Sequence, residues 1–254
     1  MRTTLKYLFL TAIRDRLFTS MMVAIGLAAL ACSFLGDKTV VEERETSAAL
    51  VGFASRLIVI SGLVLFVAVH VRRTFENREI LLLLSRPMSR LGLVLAYWAS
   101  FSAIAVLIVL PAAAAVWLVG QPGAAGLAVW AGSLALEAML MVAFALFFSL
   151  TLGSVVAAAA GALGFYILAR GIGVFTAIAT GEFRSAVTGF DQSVNQAIGY
   201  IAWLVPRLDL FGQSSWLVHG APEPAMIGLI AAQAVIYTGL IVTAAAFDFE
   251  RKRF

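Results

Sequence analysis

The chain has 254 residues, 62% of them apolar and 13% charged, with a net charge of +4. Soluble domains run at roughly 45–50% apolar and 25% charged, so a soluble enzyme is excluded and about six membrane spans fill the length. The basic residues form no Arg/Lys tract with interleaved aromatics, which excludes nucleic acid as a partner and leaves the lipid bilayer as the expected surroundings.

Residues 2–17 place Leu5, Leu8, Phe9, Ala12, Ile13 and Leu17 at spacings of three and four, with Arg2, Lys6, Arg14 and Arg16 between them. This pattern predicts an N-terminal amphipathic helix lying in the membrane interface. Arg14, Asp15 and Arg16 interrupt the first apolar stretch, so no cleavable signal is expected. The first span is predicted at about 18–35. An acidic stretch with Asp37, Glu42, Glu43 and Glu45 follows, and a second span is expected at about 51–70.

The segment 71–91, VRRTFENREILLLLSRPMSRL, is the pivot of the chain. Its five arginines, Arg72, Arg73, Arg78, Arg86 and Arg90, outnumber Glu76 and Glu79. Phe75 to Leu84 reads as a short helix ended by Ser85-Arg86-Pro87, because the residue before proline is pushed out of the helical region. Such a helix suits either lipid headgroups or a groove on a soluble partner.

Further spans are expected at about 93–119, 127–150, 155–179 and 225–247. Pro111 lies inside the third, and Gly120-Gln121-Pro122-Gly123 forms a tight turn after it. Residues 180–224 form the longest segment outside the membrane. Tyr200, Trp203 and Trp216 suggest interfacial or re-entrant helices at the outer surface. Arg2, Lys6, Arg14, Arg16, Arg72, Arg73, Arg78, Arg86, Arg90, Arg251, Lys252 and Arg253 fall on one side, twelve against Lys38, Arg44, Arg184 and Arg207 on the other. By the positive-inside rule the twelve are cytoplasmic. The predicted fold class is an all-α membrane protein, a single domain of six transmembrane helices with both termini cytoplasmic.

Three ionisable residues fall inside spans. Glu137 lies ten residues into the fourth, roughly 15 Å deep, where an unpaired carboxylate is costly. Arg170 is its first expected partner and Arg56 its second. Arg56 is expected about five residues from the outer end of span two, in position to snorkel outward. The group reads as a structural polar clamp or as part of a substrate or proton path. The small-residue run Gly153 to Gly164 suggests span five, with span one, as a seam between copies.

HExxH, G-x-S-x-G and P-loop motifs are all missing. The two histidines, His70 and His219, fall on opposite sides of the membrane. No catalytic, cofactor-binding or metal-binding residue is expected in this chain.

The run Glu76-Asn77-Arg78-Glu79-Ile80, followed by Leu83-Leu84-Ser85-Arg86-Pro87-Met88-Ser89-Arg90, resembles the signature loop of type-2 ABC exporter permeases. Arg14-Asp15-Arg16-Leu17 is similar to the end of that family's interfacial helix. Leu204-Val205-Pro206-Arg207-Leu208-Asp209-Leu210-Phe211 resembles the run before its last span, with Arg207 in place of the usual Asn. The subgroup it most resembles contains permeases of multicopper-enzyme maturation systems. The resemblance implies a multi-pass permease subunit of the bacterial inner membrane, paired with a second permease, usually another copy of itself. ATP and Mg would be bound by a separate ABC ATP-binding subunit. Phe75, Glu76, Arg78, Glu79, Leu83 and Arg86 would form the coupling helix seated in that ATPase. A non-transporting membrane assembly or anchoring factor is the alternative reading.

Overall fold

The computed structural model describes residues 16–36, 43–76, 89–180 and 205–251. All regular structure among them is helical: α1 (Arg16–Gly36), α2 (Glu43–Glu76), α3 (Arg90–Gly120), α4 (Ala124–Thr151), α5 (Val155–Thr180), the short α6 (Ser215–His219) and α7 (Pro224–Arg251). Six of these, all but α6, are long and apolar enough to cross a membrane. The interfacial helix expected over residues 2–17 lies outside the described residues, apart from Arg16 and Leu17, which open α1.

The helices begin and end where local chemistry dictates. Ser89 has extended backbone, and its hydroxyl accepts the Gly92 N–H at 3.1 Å, so α3 starts at Arg90. Gln121 adopts a left-handed conformation and closes α3 by donating its N–H to the Trp117 carbonyl at 3.0 Å. Hydroxyls inside the spans turn back on their own helices, Ser100 to Ala96 and Ser149 to Ala145. In hydrocarbon no water is present to satisfy them.

The bundle is built around α2 and α4. Helix α2 packs on α1, α3, α4, α5 and α6, while α4 packs on α2, α3, α5, α6 and α7. In α4, 61% of the apolar window is buried, against 17% in α1 and 22% in α7. The outward faces of the peripheral helices carry Leu27, Leu30 and Phe34 on α1, Val156 and Ile167 on α5, and Ile236 and Leu240 on α7. Lipid tails are as apolar as these side chains.

Several boundaries depart from the sequence expectation. Helix α2 begins at Glu43, so Arg44, Glu45 and Ser47 belong to a helix rather than to a loop. The reason is packing: Ala48 is buried against Gly120 at the end of α3, where any side chain would overlap it. At its other end α2 runs on to Glu76, so Val71 to Glu76 continue the span instead of opening a loop. Phe75 therefore sits in the last turn of α2, beside Leu93, Tyr97, Leu150 and Phe249. At 34 residues α2 is about 50 Å long, well beyond a hydrocarbon core of about 30 Å. Helix α7 likewise continues through Asp248 and Glu250.

These contacts define two ends. Val71, Phe75, Leu93, Leu150 and Phe249 meet at one, called here the arginine-rich end, with Arg72, Arg73, Arg90 and Arg251 around them. Ala48, Gly120, Gly126 and the segment 205–220 meet at the opposite end. Residues 181–204 of the long segment lie outside the described residues. The remainder folds as turns closed by Leu210 N–H to Arg207 O and Phe211 N–H to Leu208 O, both 3.2 Å, then α6.

Candidate functional site

Helix α4 presents Trp130, Ser133 and Glu137 on one stripe, at steps of three and four. The stripe faces α2, which supplies Arg56, and α5, which supplies Tyr166 and Arg170 one turn apart. Buried alanines at 158, 162 and 169 let α5 lie close against its neighbours.

Glu137 is fully buried and ion-paired on both oxygens. Oε2 accepts from Arg56 Nη1, and Oε1 accepts from Arg170 Nη1 at 3.1 Å. Arg56 Nη2 also donates to Ser133 Oγ at 3.1 Å and to the Trp130 carbonyl at 3.4 Å. Its guanidinium carbon lies 5.4 Å from the centre of the Trp130 ring, a cation–π contact. Arg170 reaches the opposite way as well, to Tyr166 Oη at 3.4 Å and the Gly212 carbonyl at 3.3 Å. The side chain of Arg56 is 2% exposed and that of Arg170 22%.

The position of Arg56 corrects the sequence expectation. It does not snorkel outward; it is buried beside Glu137. Because α2 starts at Glu43, Arg56 stands thirteen residues into the helix, about 20 Å from its end. Its guanidinium is held instead by Glu137 and Ser133. Ser133, Trp130, Tyr166 and Gly212 complete the site and were not singled out from sequence. The Trp130–Ser133–Glu137 spacing is a readable signal for the first two; Gly212 carries none.

The segment 205–220 covers this site from the opposite end. Leu208, Phe211, Trp216 and Leu217 are buried, and Arg207 pairs with Asp209 at 2.9 Å. A Cβ on Gly126 would overlap the Trp216 carbonyl oxygen and stand 3.3 Å from Gly220 Cα. Both neighbours are backbone and cannot rotate away. Gly126→Val is therefore expected to lift α6 off α4 at a cost of about 1–3 kcal/mol. Faster protease cleavage within 205–220 in intact vesicles would show it; an unchanged cleavage rate would count against this packing.

At the arginine-rich end, Glu76 is 58% exposed and pairs with Arg72 at 2.9 Å, while Phe75 is half-buried. Arg78, Glu79, Leu83 and Arg86 lie outside the described residues. Arg90 donates to the carbonyls of Phe249 at 3.1 Å and Glu250 at 2.9 Å, joining the start of α3 to the last turn of α7. A cation on helix C-terminal carbonyls is favourable. His70 packs edge-on against Phe101, with ring centres 5.5 Å apart. Gly161, expected at a seam between copies, is used within the chain: its Cβ position lies 3.1 Å from the Phe148 ring, whereas that of Gly164 is open.

No protein-family model matches this chain, and no curated protein matches it.

Proposed function

We propose that this chain is the transmembrane permease subunit of an ATP-driven ABC exporter, powered by a separate ATP-binding subunit. The observation that carries the reading is how the segment between α2 and α3 is mounted. Helix α2 runs far enough to project beyond a membrane at Glu76, and α3 starts at Arg90, which is tied to the end of α7. A partner pressing on residues 77–89 would act on two long helices directly and on a third through Arg90. That is the mechanical arrangement a coupling element needs. The residues of the loop supply the resemblance, and the helix ends supply the levers.

In this reading the arginine-rich end faces the cytoplasm of a bacterial inner membrane, both termini are cytoplasmic and residues 205–220 lie outside. The chain works as a dimer. Its partner copy covers exposed apolar side chains on α1 and α5, among them Leu27 and Ile167.

Purification of the tagged chain from its native membrane tests this. The expected result is an ATP-binding subunit held at two copies per two permeases, with ATPase activity that follows the complex. A monodisperse monomer that brings down no nucleotide-binding protein would overturn the proposal and favour an anchoring factor.

A further inference from the structure

The buried charges do not balance. Arg56, Glu137 and Arg170 sum to +1, in a site where Glu137 is inaccessible and Arg56 nearly so. Arg56 has the carboxylate on one nitrogen and Ser133 and the Trp130 carbonyl on the other. Arg170 holds the second oxygen of Glu137 at 3.1 Å, and its remaining bonds, at 3.3 and 3.4 Å, go to neutral oxygens. One carboxylate thus answers two guanidinium charges. An arginine cannot shed its charge, because its guanidinium stays protonated at any relevant pH. Asp209, set against Gly173 one turn along α5, is paired with Arg207. Among the described residues no carboxylate is left over for Arg170.

Arg170 is also the member of the cluster with exposed surface, and it lies toward the end covered by residues 205–220. A Cβ on Gly212 would overlap its guanidinium, so glycine there leaves room for the charge itself to lie against the 205–220 segment. We propose that Arg170 binds an anionic group, a carboxylate or a phosphate, that enters from the end covered by residues 205–220. The planar guanidinium fork suits both groups, which accept two parallel hydrogen bonds. The incoming anion takes the place of the weakly held Gly212 carbonyl and brings the cluster to neutrality. The Arg56–Glu137 pair fixes Arg170 in position. A dissolved acid and the headgroup of an anionic lipid offer the same chemistry. The inference does not rest on the permease reading, since the charge balance is the same with or without an ATPase.

The test uses the full chain, first in neutral detergent and then in phosphatidylcholine nanodiscs with or without phosphatidylglycerol. Inorganic phosphate is titrated against sodium chloride at matched ionic strength, and the thermal midpoint is recorded. A saturable rise is expected. In Arg170→Gln the apparent affinity should fall about tenfold or more, while Arg170→Lys, which keeps the charge, should fall less. Arg170→Gln leaves the neutral Arg56–Glu137 pair and should fold. Gly212→Ala, which crowds the guanidinium, is the second variant and should weaken binding in the same direction. If phosphatidylglycerol raises the midpoint in an Arg170-dependent way and free phosphate does not, the anion is a lipid headgroup. No rise with either probe, or a rise that both variants retain in full, overturns the site. No ATPase enters the assay, so that failure leaves the permease reading standing.

Discussion

Glu137→Ala is expected to abolish recovery of folded protein. The substitution removes the only negative charge from a cluster of three and leaves two arginines facing each other, Arg56 with almost no access to solvent. Breaking a buried ion pair by removing one member costs about 3–5 kcal/mol, because the remaining charge stays desolvated. Here one carboxylate serves two partners, so the loss falls at or above the upper end of that range. A typical domain has only about 5–15 kcal/mol to lose. Glu137→Gln keeps an acceptor for one arginine and should be milder. The decisive measurement is the yield of monodisperse protein and its thermal midpoint. A Glu137→Ala variant at wild-type values would show that the carboxylate is not the counter-ion it looks to be.

The geometry also sets which rescue can work. Exchanging Glu137 with Arg170 would place an arginine at position 137 directly against Arg56, so the swap should fail even though the total charge is unchanged. The acid has to occupy the middle position. Replacing Arg56 and Glu137 together by methionine leaves Arg170 alone at the partly exposed edge of the cluster, and this double variant should be recovered far better than Glu137→Ala. Buried pairs replaced as a unit by apolar residues are often neutral or stabilising.

The spans and Glu137 were legible in the sequence because each is a strong one-dimensional signal. A long apolar run stands out, and so does a lone carboxylate within one. What failed was the register of α2. Glu43, Arg44, Glu45, Thr46 and Ser47 look like loop residues, and only Ala48 packing against Gly120, more than seventy positions along the chain, shows why they are helical. Misplacing that end misplaced Arg56 in depth, and with it the expectation that it snorkels. The Gly212 carbonyl and the Arg90 bonds to α7 were beyond reach for a different reason. A backbone acceptor has no sequence signature, and Arg90 meets its acceptors about 160 positions away. The charge imbalance was half visible: the three residues were found, and their stoichiometry on one carboxylate came only with the fold.

The second large effect is expected at the arginine-rich end, from Glu76→Arg combined with Glu79→Arg. Glu76 lies in the last turn of α2 with more than half of its side chain exposed, and its only ion pair among the described residues is the i,i+4 bridge to Arg72. Exposed pairs of this kind contribute about 0.3–0.5 kcal/mol, so losing the bridge should leave the thermal midpoint of the chain almost unchanged. At a docked interface the balance is different. Reversing two charges sets like against like where a partner has matched them, and such juxtapositions cost several kcal/mol. That corresponds to about a hundredfold or more in affinity. On the proposed permease reading, the expected outcome is a folded chain that no longer retains the ATP-binding subunit and shows no complex-associated ATPase activity. Reversing Arg44 and Glu45 at the opposite end should leave the ATPase bound, which separates a local docking defect from a general charge effect. If the Glu76 and Glu79 variant retains its ATPase and its activity at wild-type levels, the segment between α2 and α3 is not where the ATPase docks. Its arginines would then serve only to anchor the connection at the membrane surface.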